Sequence, residues 1–210
     1  SHPSGSNVTT LYVLLSMTIL VFSGAVVGLD AFPVEVEVDA TPGLHLFSIV
    51  GLPDKTVEES RDRIQAALRN SGFVAPKQKN QRIVVNLAPA DVKKEGSGYD
   101  LPIAIGYLIT SKQIVAPKSA PMLFGELGLD GSVRRINGIL PLVHMAKLKK
   151  FKEVIVPIEN AVEAAMITGI NTIPVGTLKE AAEHVSGKVR VSPAPQSRPS
   201  LIKDTPDDAE

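Results

Sequence analysis

The stretch KKEGSGYDLP, residues 93–102, concentrates residue types that could do chemistry. Ser97 stands between two glycines and follows Lys93 and Lys94, either of which could supply a general base. A serine hydroxyl becomes a nucleophile when a neighbouring base takes its proton and backbone amides stabilise the oxyanion that forms. One interpretation is therefore the nucleophile loop of a hydrolase, with Ser97, Lys93 and Lys94 as its catalytic residues.

The same stretch also fits a turn that begins a helix. Asp100 directly precedes an apolar run and Pro102 falls in its first turn, which is typical of an N-cap whose carboxylate accepts hydrogen bonds from free helix amides. Gly96 and Gly98 allow a sharp turn after the preceding strand. Under this interpretation the loop is structural and contains no catalytic residue.

A metal site is not predicted. The chain has no cysteine, and its histidines show no HExxH-type spacing. These histidines are His2, His45, His144 and His184.

The string GLPDKT, from Gly51 to Thr56, is the nearest approach to a phosphate-binding loop. Asp54 stands where such a loop needs its second glycine. We therefore expect a turn that caps the next helix, and no cofactor in this chain.

Several cations in the second half of the chain would suit contact with DNA or with a protein partner. Basic and acidic side chains both number 22, so the overall charge does not favour a nucleic-acid binder. The run LKKFKE is also typical of the solvated end of a helix. We expect weak DNA binding at most. The candidate contacts are Arg134, Arg135, Lys147, Lys149, Lys150 and Lys152.

Composition indicates a folded, intracellular chain. Of its 210 residues, 44% are hydrophobic, which is ample for a core, and the absence of cysteine fits a reducing cytoplasm. The uncharged stretch Leu11–Leu29 has the length of a membrane span but contains Ser, Thr and Gly and lacks a basic flank. Buried strands are the favoured interpretation, and we predict a cytoplasmic protein without membrane contact.

Strand patterns dominate the segments before the loop. PVEVEVD, residues 33–39, alternates valine with acidic residues, the period of a half-buried strand. LHLFSIV, residues 44–50, follows a Pro-Gly turn and predicts its hairpin partner. RIVVNL, residues 82–87, is a further strand that leads into the loop.

Helical patterns flank the loop on both sides. Thr56 and Glu59 predict a capping box at the start of a helix that ends at Gly72. LPIAIGYLIT, residues 101–110, predicts a buried helix.

The second half alternates helices and strands, as in α/β proteins. MLFGELGL and SVRRI predict a hairpin about Asp130-Gly131. The further predicted elements are helix 139–149, strand 154–157, helix 160–168, strand 172–175 and helix 178–185, followed from residue 192 by an exposed linker.

Four segments together resemble a known family. They are SGAVVGLDAFPVEVEV, FSIVGLPDKTVEESRDRIQAALRNSGF, RIVVNLAPADVKKEGSGYDLPIAIGYL and GELGLDGSVRRINGILP. In this order they resemble the N-terminal domain of the YifB/ComM family of magnesium-chelatase-like AAA+ ATPases. The resemblance implies an α/β fold of the two-layer α+β type, shared by ribosomal protein S5 domain 2 and the Lon protease domain.

The resemblance also implies a domain order and partners. Residues 1–16 would be an unassigned leader, residues 17–190 the Lon-like domain, and residues 191–210 a linker to an AAA+ domain. ATP and Mg²⁺ would belong to that AAA+ domain. Some family members are hexameric DNA branch-migration motors, so the domain's partners would be its own ATPase, other copies in a ring, and DNA.

Comparison with active Lon domains bears on the catalytic interpretation. Their loop resembles KDGPSAG, with a serine nucleophile, and a later GGLKEK supplies the lysine base. When the motifs are matched, the nucleophile position falls on Gly98 and the base position on Leu140. The resemblance thus implies a domain without a catalytic dyad, with a Ser97-based peptidase as the alternative.

Overall fold

The computed structural model describes residues 19–196. Its strands are β1 (Ile19–Val27), β2 (Asp30–Pro42), β3 (Leu46–Val50), β4 (Gln81–Ala88), β5 (Met122–Leu123), β6 (Glu126–Leu127), β7 (Val133–Arg134), β8 (Glu153–Pro157) and β9 (Asn171–Val175). Its α-helices are α1 (Lys55–Asn70), α2 (Asp100–Thr110), α3 (Ile139–Leu148), α4 (Ala161–Ala164) and α5 (Leu178–Val185). The predicted α/β class is confirmed.

Seven strands form one mixed sheet in the order β3-β4-β2-β1-β5-β8-β9. The pairs β1–β2 and β2–β4 are antiparallel, and the other four pairs are parallel. The remaining strands, β6 and β7, form a separate two-stranded ribbon. The parallel pairs require crossover connections, which the helices supply.

Two hydrophobic clusters pack against the sheet. The larger one joins β1, β2, β3 and β4 to α1, α2 and α5, and the smaller one joins β5 and β8 to α3 and α4. The alternation in β2 has the predicted consequence, because Val34, Val36 and Val38 are fully buried while Glu35 is exposed. Helix α2 is buried along almost its whole length, as its apolar sequence predicts.

The predicted hairpin between β2 and residues 44–50 is wrong. Strand β4 lies between the two segments, antiparallel to β2 and parallel to β3. Helix α1 forms the crossover from β3 to β4. Strand β3 is the first strand in the order of the sheet and therefore lies at its edge. A Pro-Gly turn specifies a local reversal of the chain, but it does not specify which strand becomes the neighbour.

The predicted capping box of α1 is also corrected. The helix begins at Lys55, and its N-cap is Asp54, whose Oδ1 accepts a hydrogen bond from the Val57 amide at 2.7 Å. Because the helix starts earlier than expected, Thr56 lies inside the first turn. Ser71 is the C-cap of the helix, and Gly72 follows it in the left-handed region.

Three predicted elements of the second half differ in extent. Met122–Leu123 joins the main sheet, which leaves a shorter hairpin of β6 and β7 about residues 130–131. Helix α4 spans one turn after the 3-10 turn Ile158–Asn160. The start of the predicted linker lies along β9, where the Ala194 amide donates to the Thr172 carbonyl at 2.8 Å.

The uncharged stretch Leu11–Leu29 forms a strand in its described part. Residues 19–27 are β1, in the middle of the sheet, while residues 11–18 lie outside the described residues. Within residues 19–196, no helix has the length and apolar character needed to cross a bilayer.

Candidate functional site

The loop between β4 and α2 is held against the start of α1. It begins with a cis peptide bond between Ala88 and Pro89. The Lys94 amide donates to the Leu52 carbonyl at 3.0 Å, and the Asp54 amide donates to the Lys94 carbonyl at 2.9 Å. The loop is therefore fixed to the turn that precedes α1, and each candidate side chain in it has a defined neighbour.

The two lysines of the loop have different environments. The Lys93 ammonium is exposed and lies 2.6 Å from a carboxylate oxygen of Glu95, whose hydrogen bond raises the pKa of Lys93. Lys94 is fully buried, and its ammonium donates to the Pro89 carbonyl. Burial removes water from this ammonium and lowers the pKa of Lys94. These contacts direct both ammonium groups to acceptors other than Ser97.

Ser97 has a neighbour that sequence reasoning missed. Its hydroxyl donates to the carboxylate of Glu126, on β6. The other oxygen of that carboxylate lies 3.9 Å from the Arg134 guanidinium. The same carboxylate thus lies between the Ser97 hydroxyl of the loop and the Arg134 guanidinium of the ribbon. The arrangement suits a polar contact between the loop and the ribbon better than activation of a nucleophile.

The positions matched to the Lon dyad lie near the start of α3. A Cβ added at Gly98 would meet only the Ile136 side chain, at 3.6 Å, an ordinary contact. Leu140 lies in the first turn of α3, four residues after Ile136, and is partly buried. The site thus has room for a side chain at residue 98, and its lack of a nucleophile there is a property of the sequence.

The interpretation of Asp100 as a helix cap requires correction. Asp100 lies at the N-terminus of α2, but it is the first helical residue and Tyr99 is the N-cap, and the Asp100 carboxylate makes no hydrogen bond to the amides of that turn. It instead accepts hydrogen bonds from the Ser60 hydroxyl, the Arg63 guanidinium (Nε at 2.7 Å and Nη2 at 3.0 Å) and the Leu127 amide at 3.0 Å. Asp100 therefore joins α1, α2 and β6.

Two effects in this buried cluster act on the pKa of Asp100 in opposite directions. Burial raises the pKa of the Asp100 carboxyl, because a charge without water is costly, while its four donors work against that rise. In turn, the hydrogen bond to Asp100 raises the pKa of Arg63 above its ordinary value. The Asp100 side chain is fully buried and that of Arg63 is 19% exposed. The pair is therefore a largely buried ion pair that links α1 to α2.

Gly51–Thr56 does not fit a phosphate group. The Asp54 carboxylate occupies the N-terminus of α1 and accepts hydrogen bonds from the Val57 and Gly96 amides, the second at 3.2 Å. An anionic ligand would meet a carboxylate instead of free amides. Among residues 19–196, no group of three His, Asp or Glu side chains is arranged to hold a metal ion.

The candidate basic residues form two groups. Arg134 and Arg135 precede α3 and face carboxylates, with Arg135 3.6 Å from Glu163. The four lysines are exposed at the other end of α3 and in the following turn. Since a helix of this length spans about 15 Å, the cations do not form one compact patch. The lysine group consists of Lys147, Lys149, Lys150 and Lys152.

Comparison with known proteins identifies the family. The family model described as "Subunit ChlI of Mg-chelatase" matches residues 36–160. Competence protein ComM of Haemophilus influenzae is 40% identical over 173 residues, covering 82% of this chain and 33% of the relative. YifB, an uncharacterized protein of Escherichia coli, is 39% identical over 170 residues, covering 80% of this chain and 33% of that protein.

A more distant similarity concerns the fold. Lon protease 2 of Bacillus subtilis is 29% identical over 146 residues, covering 69% of this chain and 25% of the protease. This similarity supports the Lon-like fold predicted from the sequence. The chain spans about a third of the length of ComM and YifB. It belongs to the YifB/ComM family of magnesium-chelatase-like proteins.

Proposed function

We propose that this chain is a non-catalytic, Lon-like N-terminal domain of an AAA+ ATPase, serving assembly, partner contact or guidance of DNA. The observation that carries the proposal is the engagement of Ser97 with Glu126, while Lys93 and Lys94 are held by Glu95 and Pro89. A Ser–Lys dyad needs a neutral lysine within hydrogen-bond reach of the serine. In this structure the hydroxyl and the two ammonium groups have these other partners instead.

The proposal assigns the chemistry of the whole protein to a part outside this chain. ATP and Mg²⁺ would bind to an AAA+ module, which fits the unsuitability of Gly51–Thr56 for phosphate. The name competence protein ComM connects that relative with competence. We extend this to a hexameric, cytoplasmic ATPase that acts on DNA, with the present domain as a contact module.

A direct test of the non-catalytic role uses the isolated chain with a fluorophosphonate probe and with unfolded casein. We expect neither labelling of the protein nor cleavage of casein. The matched variant Ser97→Ala should behave like the wild type in both assays. Stoichiometric labelling that disappears in Ser97→Ala would reject the proposal.

One observation favours the alternative of a divergent peptidase. Lys94 is fully buried and its pKa is lowered, as the lysine base of a Ser–Lys dyad requires. If a rearrangement brought its ammonium to Ser97, the pair would become competent. In that case Lys94→Met should abolish probe labelling while Lys93→Met, which changes an exposed lysine, should leave it unchanged.

The DNA role predicts weak and salt-dependent binding by the isolated chain. Phosphate contacts release counterions, so each lost cation should lower the salt slope by about one unit. We expect a dissociation constant of roughly 0.1 mM near physiological salt, typical of non-specific binding. Avidity from several domains would be needed for tighter binding.

The DNA experiment compares two variants with equal loss of charge. Arg134→Ala/Arg135→Ala removes two candidate contacts, and Lys112→Ala/Lys118→Ala removes two exposed lysines outside the candidate set. Labelled duplex and forked DNA are titrated at several salt concentrations. A loss of DNA affinity in the first variant but not in the second supports a DNA contact at the two arginines. Sub-micromolar binding by the isolated domain would show that the domain binds DNA without the ATPase.

A further inference from the structure

Residues 190–196, here called the strap, lie on the surface of the domain after α5 and beside β9. The Ala194 amide donates to the Thr172 carbonyl at 2.8 Å, and the Gln196 side-chain amide lies 3.5 Å from the Ile170 carbonyl. The residues on either side of Ala194 are prolines, so the strap offers no backbone donor to a further strand there. The strap thus lies along the β9 edge of the seven-stranded sheet.

A buried histidine holds the start of the strap. His184, on α5, is 2% exposed, and its Nδ1 accepts a hydrogen bond from the Val191 amide at 3.0 Å. A backbone amide can only donate, so Nδ1 carries a lone pair and the neutral ring carries its proton on Nε2. Nε2 faces Glu153, on β8, at 3.5 Å and has no hydrogen-bond partner among residues 19–196. The two ring nitrogens therefore face two different parts of the fold.

A second proton on the His184 ring would act differently at its two nitrogens. At Nε2 the positively charged ring would face the Glu153 carboxylate, which is a favourable contact. At Nδ1 the new N–H would meet the Val191 N–H, so that two donors face each other and the amide loses its acceptor. Histidine is the side chain whose charge ordinarily changes between pH 5 and pH 8. Protonation thus favours the contact with β8 and opposes the contact with the strap.

The strap is the part of this arrangement that can give way. Helix α5 and strand β8 contribute Ala182, Val185 and Ile155 to the larger hydrophobic cluster. In the strap, Val191 and Ala194 are partly buried and the other five residues are exposed. Segments with few buried apolar contacts open at the lowest cost in free energy. Displacing the strap therefore costs less than moving His184 out of the core.

The other charged groups around His184 do not replace it in this role. Arg190, in the strap, lies 3.9 Å from Glu153, so release of the strap leaves that carboxylate to the charged ring. Glu183 and Lys188 form an ion pair at 3.8 Å at the end of α5. Strand β9, which contacts α5, contains no titratable residue. The titratable groups of α2 have partners elsewhere, Asp100 with Arg63 and Tyr107 with the Val74 carbonyl.

We infer that His184 is a pH-sensitive latch for the strap: the neutral ring holds residues 190–196 on the domain, and protonation releases them while α5 stays packed against β8. One proton separates the two states, so the ratio of attached to released strap should fall by up to about tenfold per pH unit. The latch is independent of the proposed ATPase. Its consequence for a following AAA+ domain, a change from a docked to a free connection, rests on the proposed function.

Nuclear magnetic resonance of the isotopically labelled chain at pH 8 and pH 5 tests the latch. At pH 8, long-range proton–nitrogen spectra should show the ring proton of His184 on Nε2 and none on Nδ1. The Ala194 amide reports the position of the strap, because its acceptor, the Thr172 carbonyl, does not titrate. Its protection from hydrogen exchange, corrected for the intrinsic effect of pH, should be at least about tenfold lower at pH 5. The Asn171 amide, which donates to the Lys152 carbonyl at 3.0 Å, is the internal reference and should stay protected.

Two variants that cannot titrate separate the roles of the ring nitrogens. The amide oxygen of asparagine can occupy the position of Nδ1, whereas that of glutamine reaches the position of Nε2. His184→Asn should therefore keep the Ala194 amide protected at both pH values, and His184→Gln should leave it unprotected at both. His144→Asn removes an exposed histidine on α3 and should retain the response of the wild type. Circular dichroism checks that each variant is folded.

Several outcomes would overturn the latch. One is an Ala194 amide that in the wild type is equally protected at pH 8 and pH 5, or unprotected at both. Another is a ring proton on Nδ1 at pH 8, and a third is a His184→Asn variant that responds to pH as the wild type does. If His184→Gln does not fold, the comparison of the wild type with His184→Asn and His144→Asn decides.

Discussion

Loss of the Arg63 guanidinium should strongly destabilise the fold. Arg63→Ala leaves the Asp100 carboxylate buried, with only the Ser60 hydroxyl and the Leu127 amide as donors. Removing one partner of a buried ion pair costs about 3–5 kcal/mol, because the remaining charge has lost its compensation. Arg63 keeps some contact with water, since its side chain is 19% exposed. We therefore expect the low end of that range, about 3 kcal/mol.

Equilibrium unfolding in urea, followed by circular dichroism, measures this cost. With a denaturant slope of about 2–3 kcal/mol per molar, the midpoint should fall by about 1–1.5 M. For a domain of this size the melting temperature should fall by roughly 6–12 °C. Arg61→Ala is the matched control, because Arg61 is exposed on the same helix and its hydrogen bonds go to backbone carbonyls, of Glu58 at 2.8 Å and of Phe47 at 3.5 Å. It should change stability by less than about 0.5 kcal/mol.

A double-mutant cycle tests the reasoning. Asp100→Asn removes the buried charge, so Arg63→Ala should cost less in that background than in the wild type, with a coupling of about 1–3 kcal/mol. Additive effects would mean that the two side chains act independently. An Arg63→Ala variant as stable as Arg61→Ala would likewise refute a buried tie between the helices.

Two further predictions concern a glycine and a carboxylate. Gly51→Ala should destabilise the fold by at least about 2 kcal/mol more than Gly28→Ala. Both glycines have positive φ, but an added Cβ at Gly51 would lie 2.1 Å from the Leu87 carbonyl oxygen, whereas one at Gly28 would meet no atom within 4 Å. Thermal unfolding of the two variants measures the difference in stability. The His184 ring nitrogen lies 3.5 Å from a carboxylate oxygen of Glu153, and this proximity lowers the pKa of Glu153. The contribution of Glu153 to stability is therefore present above the ordinary glutamate pKa and is lost as the pH falls through the lowered value. Urea unfolding from pH 7 to pH 3 should therefore show that Glu153→Gln costs stability at pH 7 and that its difference from the wild type shrinks towards pH 3.

Predictions from local patterns were confirmed where short-range physics decides the structure. The alternation of β2 could be predicted because successive side chains of a strand point to opposite faces and one face must be buried. Helix α2 could be predicted from its apolar run, and α5 from its amphipathic spacing. The family could be identified because four long segments resemble those of the family and occur in the same order.

The partners of the candidate residues could not be predicted in the same way. Ser97 meets Glu126, 29 residues away, and Asp100 meets Arg63, 37 residues away. The sequence around Asp100 fitted a helix cap, because nothing local distinguishes a carboxylate that caps a helix from one that crosses to another element.

The α/β class, the course of most strands and helices, and the absence of a serine and a lysine at the positions matched to the Lon dyad could all be predicted from the residues alone. The folded domain was needed to show that β4 separates β2 from β3, which leaves β3 at an edge, and that α1, α2 and β6 meet at Asp100. Strand neighbours and buried ion pairs join segments that are distant along the chain. Their stability depends on packing of the whole domain, whereas helix and strand periodicity depends on residues only a few positions apart.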